Sequence, residues 1–210
     1  MDNPVIIFGA GGLGKAALEI FKDNGVVVYA FLDDDKSLHN TEINEISVLG
    51  STDDDGFLKY IGKKCEAFVA VDENTIRQDL VKMLNERRKI QPVNAVHKSS
   101  MISEDAHIGH GNFINSAVVI GTQAKVGNHC ILHSGAIIDF SATLEDFVQV
   151  GAGSVINTGV HVGKNAFIGS GVTIVSGVKV GVGARVGAGS VVISDVPAGE
   201  TFFGNPAQKV

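Results

Sequence analysis

The sequence predicts an α/β protein in two parts: a small parallel sheet flanked by helices, followed by a parallel β-helix, which is a solenoid of stacked coils. The first part alternates short apolar strands with helical segments and carries a glycine-rich turn. In the second part, every sixth residue between 102 and 192 is aliphatic. A period of six fits neither a helix nor a simple strand, and it indicates stacked coils. We place the two domains at residues 1–96 and 97–210.

The first domain is predicted to be about half of a Rossmann unit. The predicted strands are residues 5–8, 26–32 and 66–71, and the predicted helices are residues 15–22, 53–60 and 75–89. Residues 47–51 are expected to form a connector. In the last helix, Ile76, Leu80, Met83 and Leu84 share the spacing of one buried face.

The second domain is predicted from sixteen aliphatic positions in phase, beginning at Ile102 and ending at Val192. A small side chain usually follows four residues after each of them, and a glycine often follows directly. Three such six-residue segments make one 18-residue coil. Residues 18 apart are therefore expected to stack on neighbouring coils.

Composition and charge exclude several classes of protein. The chain has 210 residues, of which 44% are hydrophobic, and a formal net charge of −6, so nucleic acids and anionic membranes are poor partners. No apolar run approaches the ~20 residues of a membrane span, and the sequence from Met1 lacks the basic and apolar regions of a signal peptide. Cys65 and Cys130 lie in apolar segments, which suits reduced thiols in the cytoplasm.

The glycines at 9, 11, 12 and 14 follow the first strand and open the first helix. Gly9, Gly11 and Gly14 have the spacing of a turn that holds a phosphate at a helix N-terminus, although a purely structural turn has the same pattern. The aspartates at 33–35 follow the second strand. Asp33 or Asp34 is expected to accept hydrogen bonds from a ribose or a base, whereas a solvated loop is the simpler alternative.

These features occur together with Val-Leu-Gly-Ser at 48–51 and Gly-Asn-Pro-Ala at 204–207. The combination resembles the left-handed β-helix acyltransferases that N-acetylate nucleotide-linked amino sugars, grouped with the sialic-acid O-acetyltransferases. The resemblance implies a left-handed solenoid, a homotrimer, acetyl-CoA as co-substrate, no metal, and a cytoplasmic role in surface polysaccharide biosynthesis. It also implies that the nucleotide-sugar binds at Gly9, Gly11, Gly12 and Gly14, with Asp33 and Asp34.

The sequence departs from this family at the centre of its active site. The repeat frame places Phe140 where relatives carry the catalytic histidine, Ser141 where its acidic partner stands, and Gln149 where a second histidine stands. Phenylalanine cannot accept a proton, so the residue at this position cannot act as the general base of the usual mechanism.

The nearest replacement for the base is His133, seven residues before Phe140 and at a position where relatives often carry Asn. A neutral imidazole is a suitable base, and Asp139 is expected to orient it. The alternatives are a surface or interface histidine at a corner of the solenoid, or a metal pair with His129.

The resemblance also implies where acetyl-CoA binds. Thr158 lies one coil after Phe140, and its backbone N–H is predicted to hold the acetyl carbonyl. Gln149, Ser170 and Ala188 are predicted to complete the acetyl-CoA site, the last two bordering the pantetheine arm.

The sequence therefore predicts an acetyl-CoA-dependent enzyme that N-acetylates a nucleotide-linked amino sugar. Three alternatives stay open: a catalytically impaired paralogue that binds nucleotide-sugar or CoA or partners an active enzyme, an O-acyltransferase or longer-chain acyltransferase, and, most remotely, a zinc-dependent trimer of the carbonic anhydrase type.

Overall fold

The structure, a computed structural model, describes residues 3–210. Met1 and Asp2, with which the predicted first domain begins, lie outside this range. Contacts divide the chain into two compact units that meet in sequence at Lys98 and Ser99. None of the helices formed by residues 3–210 has the length and apolar character needed to cross a bilayer.

Unit 1 is built on a five-stranded sheet in the order β3-β4-β2-β1-β5. Its strands are β1 (Val5–Phe8), β2 (Val28–Leu32), β3 (Glu42–Ile43), β4 (Ile46–Gly50) and β5 (Glu66–Val69), and β6 (Ala95–Val96) follows later. Its helices are α1 (Gly12–Asp23), α2 (Asp55–Leu58) and α3 (Asn74–Arg88), with a 3-10 turn at Lys36–Leu38. The pairs β1–β2, β1–β5 and β2–β4 are parallel, as the strand–helix alternation predicts.

The connector predicted at residues 47–51 is wrong, because this segment is strand β4. It pairs with β2, and Val48 is buried opposite Phe31. A tight turn at Asn44 and Glu45, both with positive φ, joins it to β3. The segment is short and is buried on one side only, so its sequence resembles that of a loop.

The predicted buried face of α3 is wrong at Ile76, which is 50% exposed. The buried residues of this helix are Arg77, Leu80, Val81 and Leu84. Arg77 takes the inward position of the first turn because its guanidinium reaches backbone carbonyls of the preceding loop. Ile76 is thereby turned outward.

Unit 2 is the predicted β-helix, with three faces of short parallel strands. The first face contains β7 (Met101–Ile102), β10 (Val119–Ile120), β13 (Ile137–Ile138), β16 (Val155–Ile156), β19 (Thr173–Ile174) and β22 (Val191–Val192). The second face contains β8 (His107–Ile108), β11 (Lys125–Val126), β14 (Thr143–Leu144), β17 (His161–Val162) and β20 (Lys179–Val180). The third face contains β9 (Phe113–Ile114), β12 (Ile131–Leu132), β15 (Gln149–Val150), β18 (Phe167–Ile168) and β21 (Arg185–Val186). Beyond β21 the third face continues with β23 (Thr201–Gly204) and the antiparallel β24 (Ala207–Lys209).

From β9 to β22, the second residue of each strand points into the coil and forms the core. From Ile114 to Val192 every sixth residue is buried, which confirms the predicted period. Residues 18 apart pair in register, for example Thr143 with His161. Full burial of one aliphatic side chain contributes roughly 1.5–3 kcal/mol, so a shift of register by one residue would expose the whole core.

Three corners connect the faces, and each is named after the face that precedes it. The first corner includes residues 139–142 and 157–160, the second 127–130 and 145–148, and the third 133–136, 151–154, 169–172 and 187–190. From Gly111 to Gly189, the third residue after each core residue has a left-handed backbone conformation with positive φ. Most of these residues are glycine, which adopts positive φ without strain. Ser141 and His129 occupy such positions.

Candidate functional site

The glycine-rich turn separates into two packing glycines and two open ones. A Cβ on Gly9 or Gly14 would overlap the carbonyl oxygen of Ala70 or Gly9, respectively. In contrast, a Cβ on Gly11 or Gly12 would meet no atom within 4 Å. The turn therefore needs two glycines for its own packing and leaves open space at the other two, where α1 begins and its free N–H groups can receive an anion.

The order of the strands places this turn at a topological switch point. From β1 the chain builds the sheet outward through β2 to β4, and β5 then returns to the other side of β1. Ligands of open α/β sheets bind beyond the carboxyl ends of the strands at such a point. The turn at residues 9–12 and the loop after β5 flank this crevice.

Asp33 and Asp34 both have partners inside unit 1. Asp33 Oδ2 accepts a 2.7 Å hydrogen bond from the N–H of Ala10, and Oδ1 accepts from the N–H of Asp35. Asp34 accepts from the N–H and the hydroxyl of Thr52. Asp33 thus fixes the glycine turn to the end of β2. A carboxylate has further acceptor capacity, so ligand binding by either residue stays a prediction.

Asp35 has a local role. It caps the 3-10 turn by accepting hydrogen bonds from the hydroxyl and the N–H of Ser37. The Ser37 side chain, followed by its backbone N–H, lowers the pKa of Asp35 below the ordinary value.

Sequence reasoning missed two residues near this crevice. Arg77 is 1% exposed, and its guanidinium donates to the carbonyl oxygens of Val71 and Asp72 and to the side chain of Asn74. His39 lies with Nε2 2.7 Å from the carbonyl oxygen of Asp33. Both fix loops that follow β2 and β5, and no apolar periodicity reveals such polar anchors.

The first corner of unit 2 contains Phe140, the residue that the resemblance places at the position of the family base. Its side chain is 51% exposed, and its N–H donates to Asp139 Oδ1. Asp139 Oδ2 accepts a 2.7 Å hydrogen bond from the hydroxyl of Thr158, one coil along. The hydrogen bonds recorded among residues 3–210 include none from the Thr158 N–H, which leaves this donor available to a ligand carbonyl.

His133 begins the third corner and is half-buried. Its Nε2 lies 3.4 Å from Nε2 of Gln149 on the next coil, and its ring meets Phe113 edge-on with centroids 6.4 Å apart. The structure thus brings together His133 and Gln149, two residues to which the sequence assigned separate roles.

Asp139 and His133 lie at different corners, one after β13 and the other before it. The two carboxylate oxygens of Asp139 are used by Phe140 and Thr158. The geometry therefore assigns Asp139 to the Thr158 corner and does not support the expectation that it orients His133.

Ser170 and Ala188 are exposed residues of the third corner, on the same side of the coil as His133. Gly151 and Gly169 are the first residues of this corner on their coils, and a Cβ on Gly151 or Gly169 would overlap the backbone of Ser170 or Ala188, respectively, on the next coil. The glycines therefore allow close stacking here. Acetyl-CoA binding by Ser170, Ala188, Thr158 and Gln149 stays a prediction.

The described residues contain no cluster of three or more His, Cys, Asp or Glu side chains suited to a metal. His129 is buried and stacks on Phe147 at 4.9 Å between ring centroids. It lies at the second corner, so the pairing of His129 with His133 has no support in the fold.

Comparison with known proteins identifies a family for each of the two parts of the chain. Residues 4–84 match the family model of the PglD N-terminal domain, and residues 141–176 match that of the bacterial transferase hexapeptide (six repeats). A search of curated proteins gives no match.

Several solved structures are similar over the full chain. A histidine-to-alanine variant of GDP-perosamine N-acetyltransferase from Caulobacter crescentus, in complex with CoA and GDP-perosamine, is 30% identical with a TM-score of 0.91, covering 100% of this chain and 98% of that one. The acetyltransferase domain of PglB from Neisseria gonorrhoeae, in complex with acetyl coenzyme A, is 25% identical with a TM-score of 0.90, covering 100% of both chains. WeeI from Acinetobacter baumannii is 25% identical with a TM-score of 0.87, covering 99% of both chains.

These likenesses confirm the left-handed β-helix and the sugar acetyltransferase class that the sequence predicts. The chain therefore belongs to the hexapeptide-repeat sugar acetyltransferases that combine a PglD-type N-terminal domain with a left-handed β-helix.

Proposed function

We propose that this protein transfers an acetyl group from acetyl-CoA to the amino group of a nucleotide-linked amino sugar that is used in surface glycan synthesis. The observation that carries the proposal is the full-length likeness to the GDP-perosamine enzyme, at 30% identity. That protein binds CoA and a nucleotide-amino-sugar together, and the PglB domain binds acetyl-CoA.

The crevice of unit 1 suits the nucleotide. The pyrophosphate would bind at Gly11 and Gly12, where the backbone is open and the N-terminus of α1 favours negative charge. Asp33 and Asp34, at the end of β2, have acceptor capacity for ribose hydroxyls or a base N–H. Arg77 supports this crevice by holding the loop after β5.

A homotrimer is part of the proposal. The outward side chains of the first face are apolar or β-branched along all six strands: Met101, Val119, Ile137, Val155, Thr173 and Val191. A ladder of this kind, in which Thr173 is the one hydroxyl-bearing residue, suits burial against further copies of the chain. The first face lies between the first and third corners, so an interface built on it places both corners at its edges.

We assign the chemistry to residues of these two corners, with His133 of one copy serving the first corner of another. The amino nitrogen attacks the acetyl carbonyl carbon, the carbon–sulfur bond breaks, and CoA leaves as a thiolate. His133 removes the proton from the nitrogen and returns it to the sulfur. The Thr158 N–H stabilises the oxyanion, and Asp139 holds Thr158 in place.

The absence of a histidine at position 140 reduces but does not abolish the expected rate. Acid–base catalysis contributes typically ~10²–10⁴-fold, and orientation of an amine against a thioester supplies much of the rest. In the Caulobacter crescentus enzyme, a variant that lacks one histidine still holds both ligands.

The test is release of free CoA thiol from acetyl-CoA with a panel of GDP-, UDP- and dTDP-linked amino sugars, and product identification by mass spectrometry. Acetylation of a sugar amine supports the proposal. Acetylation of a hydroxyl would indicate an O-acyltransferase instead. Binding of nucleotide-sugar and CoA without turnover across the panel would indicate an impaired paralogue.

A further inference from the structure

The side chain of Gln149 contacts the candidate base. Gln149 Nε2 lies 3.4 Å from His133 Nε2. Gln149 is the outward residue of β15, and its strand partner on the previous coil is Ile131, two residues before His133. The contact is therefore a diagonal one between neighbouring coils, from the third face to the third corner.

The backbone of His133 is fixed on both sides of its Cα. Its N–H donates a 3.0 Å hydrogen bond to the carbonyl oxygen of Val150, and its carbonyl oxygen accepts from the N–H of Ala136. The ring is held from the previous coil by the edge of Phe113, which is buried. With its backbone and one side of its ring fixed, the imidazole makes a polar contact with Gln149 across the coil.

Phe113 and Gln149 both contact the ring, and neither of these two side chains ionises. The nearest charged group along the same outward column is Arg185, two coils beyond Gln149, where its guanidinium lies over the ring of Phe167. The amide of Gln149 is thus placed to affect protonation of the imidazole at Nε2.

We propose that Gln149 is a positioning residue for His133 and does not bind acetyl-CoA. The proposal rests on the proposed function, in which His133 is the base. The amide N–H donates to the Nε2 lone pair of the neutral ring, which fixes the tautomer with hydrogen on Nδ1. This contact keeps the ring neutral and aimed until the amine arrives.

The length of the contact allows proton transfer. At 3.4 Å it is longer than an ordinary N–H hydrogen bond and is easily broken. When Nε2 takes the proton of the attacking nitrogen, the amide can turn its oxygen toward the new N–H. A primary amide serves both protonation states of an imidazole, whereas an apolar side chain of the same length serves neither.

The test compares Gln149→Met with the wild-type protein, with Arg185→Met as a matched control on the same face. Gln149→Met is expected to lower kcat by roughly tenfold, less than the ~10²–10⁴-fold contribution of the base itself. The KM for acetyl-CoA is expected to stay within about twofold, and the acid limb of the kcat/KM profile to move to higher pH, because the neutral ring has lost its donor. Arg185→Met is expected to change neither. A raised KM for acetyl-CoA with unchanged kcat and pH profile would overturn the proposal and return Gln149 to the acetyl-CoA site, and an unchanged enzyme would also overturn it.

A double substitution separates this inference from the proposed function. If Gln149 acts through His133, Gln149→Met is expected to add nothing to the loss caused by His133→Ala. Additive losses would overturn the positioning role and leave His133 as the base. Full turnover by His133→Ala would instead remove the base assignment itself. Thermal unfolding of each variant shows whether activity falls because the structure is lost. NMR detection of the His133 tautomer shows directly whether Gln149 sets the protonation site of the ring.

Discussion

The Thr158 hydroxyl donates a 2.7 Å hydrogen bond to Oδ2 of Asp139 on the preceding coil. The other oxygen of Asp139 accepts from the N–H of Phe140, so one carboxylate joins two coils at the first corner. The Thr158 backbone N–H is thereby held in place while its hydrogen stays available. Under the proposed function, this corner, rather than the Phe140 side chain, supplies the donor for the acetyl oxyanion.

Two substitutions at Thr158 are expected to behave differently. Thr158→Val removes the hydroxyl bond and is expected to lower the free energy of unfolding by roughly 0.5–1.5 kcal/mol, with turnover reduced less than tenfold. Thr158→Pro removes the N–H and is expected to reduce kcat by about 10²–10³-fold, as loss of an oxyanion donor does. Steady-state kinetics and thermal unfolding check both.

Ser176→Pro is the matched control, since Ser176 occupies the same place in the first corner one coil further along. It is expected to leave kcat within about threefold of the wild-type value, because its N–H has no assigned ligand. Equal losses in both proline variants would mean that proline damages any coil and that the Thr158 N–H has no special role.

The glycine turn predicts a separation of stability from binding. Gly14→Ala places a methyl group against the carbonyl oxygen of Gly9 and is expected to cost about 1–3 kcal/mol of stability. Gly11→Ala meets open space, and φ of −74° suits alanine, so the protein should keep its Tm. It is expected to raise the KM for the nucleotide-sugar by roughly tenfold, because the methyl group occupies the space for phosphate. An unchanged KM in a folded Gly11→Ala protein would place the pyrophosphate elsewhere.

Because the native thiols are buried, the predicted acetyl-CoA site at the third corner can be tested by thiol labelling. Neither Cys65 nor Cys130 forms a disulfide, both are buried, and burial raises the pKa of the Cys65 thiol. The native protein is therefore expected to react slowly with a thiol reagent. Ala188→Cys introduces an exposed thiol at the third corner, which is expected to react at least about tenfold faster and to be protected by acetyl-CoA.

Val182→Cys, exposed at the second corner, serves as the control for that labelling. It is expected to react with the same rate in the presence and absence of acetyl-CoA. Equal protection at both sites, or protection at neither, would contradict acetyl-CoA binding along Ala188.

The N-terminus of α3 predicts a pH dependence of stability. Glu73 accepts hydrogen bonds from the N–H groups of Ile76 and Thr75, and these lower its pKa below the ordinary value of 4.5. A lowered pKa stabilises the fold above 4.5, and this contribution is lost as the pH falls through the folded-state pKa.

Glu73→Ala is therefore expected to lower Tm at pH 7, and its difference from the wild type should disappear in strong acid. Glu73→Asp keeps an acceptor at the cap and is expected to retain most of the Tm at neutral pH. A Tm difference for Glu73→Ala that persists unchanged at pH 2 would mean that the charge of Glu73 contributes nothing.

The repeat was predictable because a single period determines both burial and stacking. Thr143 lies over His161, as a spacing of 18 requires. The same period places Gln149 over Ile131, and it contains no information on the diagonal contact with His133. That contact depends on side-chain direction at a corner, which a repeat pattern does not specify.

Two features of unit 1, strand β4 and the buried Arg77, were not predicted for a different reason. Strand β4 was hidden because a short strand with one buried face resembles a loop. Arg77 was overlooked because hydrophobicity assigns an arginine to the surface, whereas here backbone carbonyls satisfy its guanidinium. Polar partners from another segment of the chain decide both its burial and the exposure of Ile76.

The most direct test of the account is the rate of acetyl transfer by His133→Ala, measured in a single turnover with a nucleotide-amino-sugar that the wild-type protein acetylates. The account predicts a loss of about 10²–10⁴-fold with unchanged Tm, while His110→Ala, at an exposed corner position, retains the wild-type rate. A His133→Ala protein that transfers acetyl at the wild-type rate would contradict the central claim that this chain has moved its base from position 140 to His133.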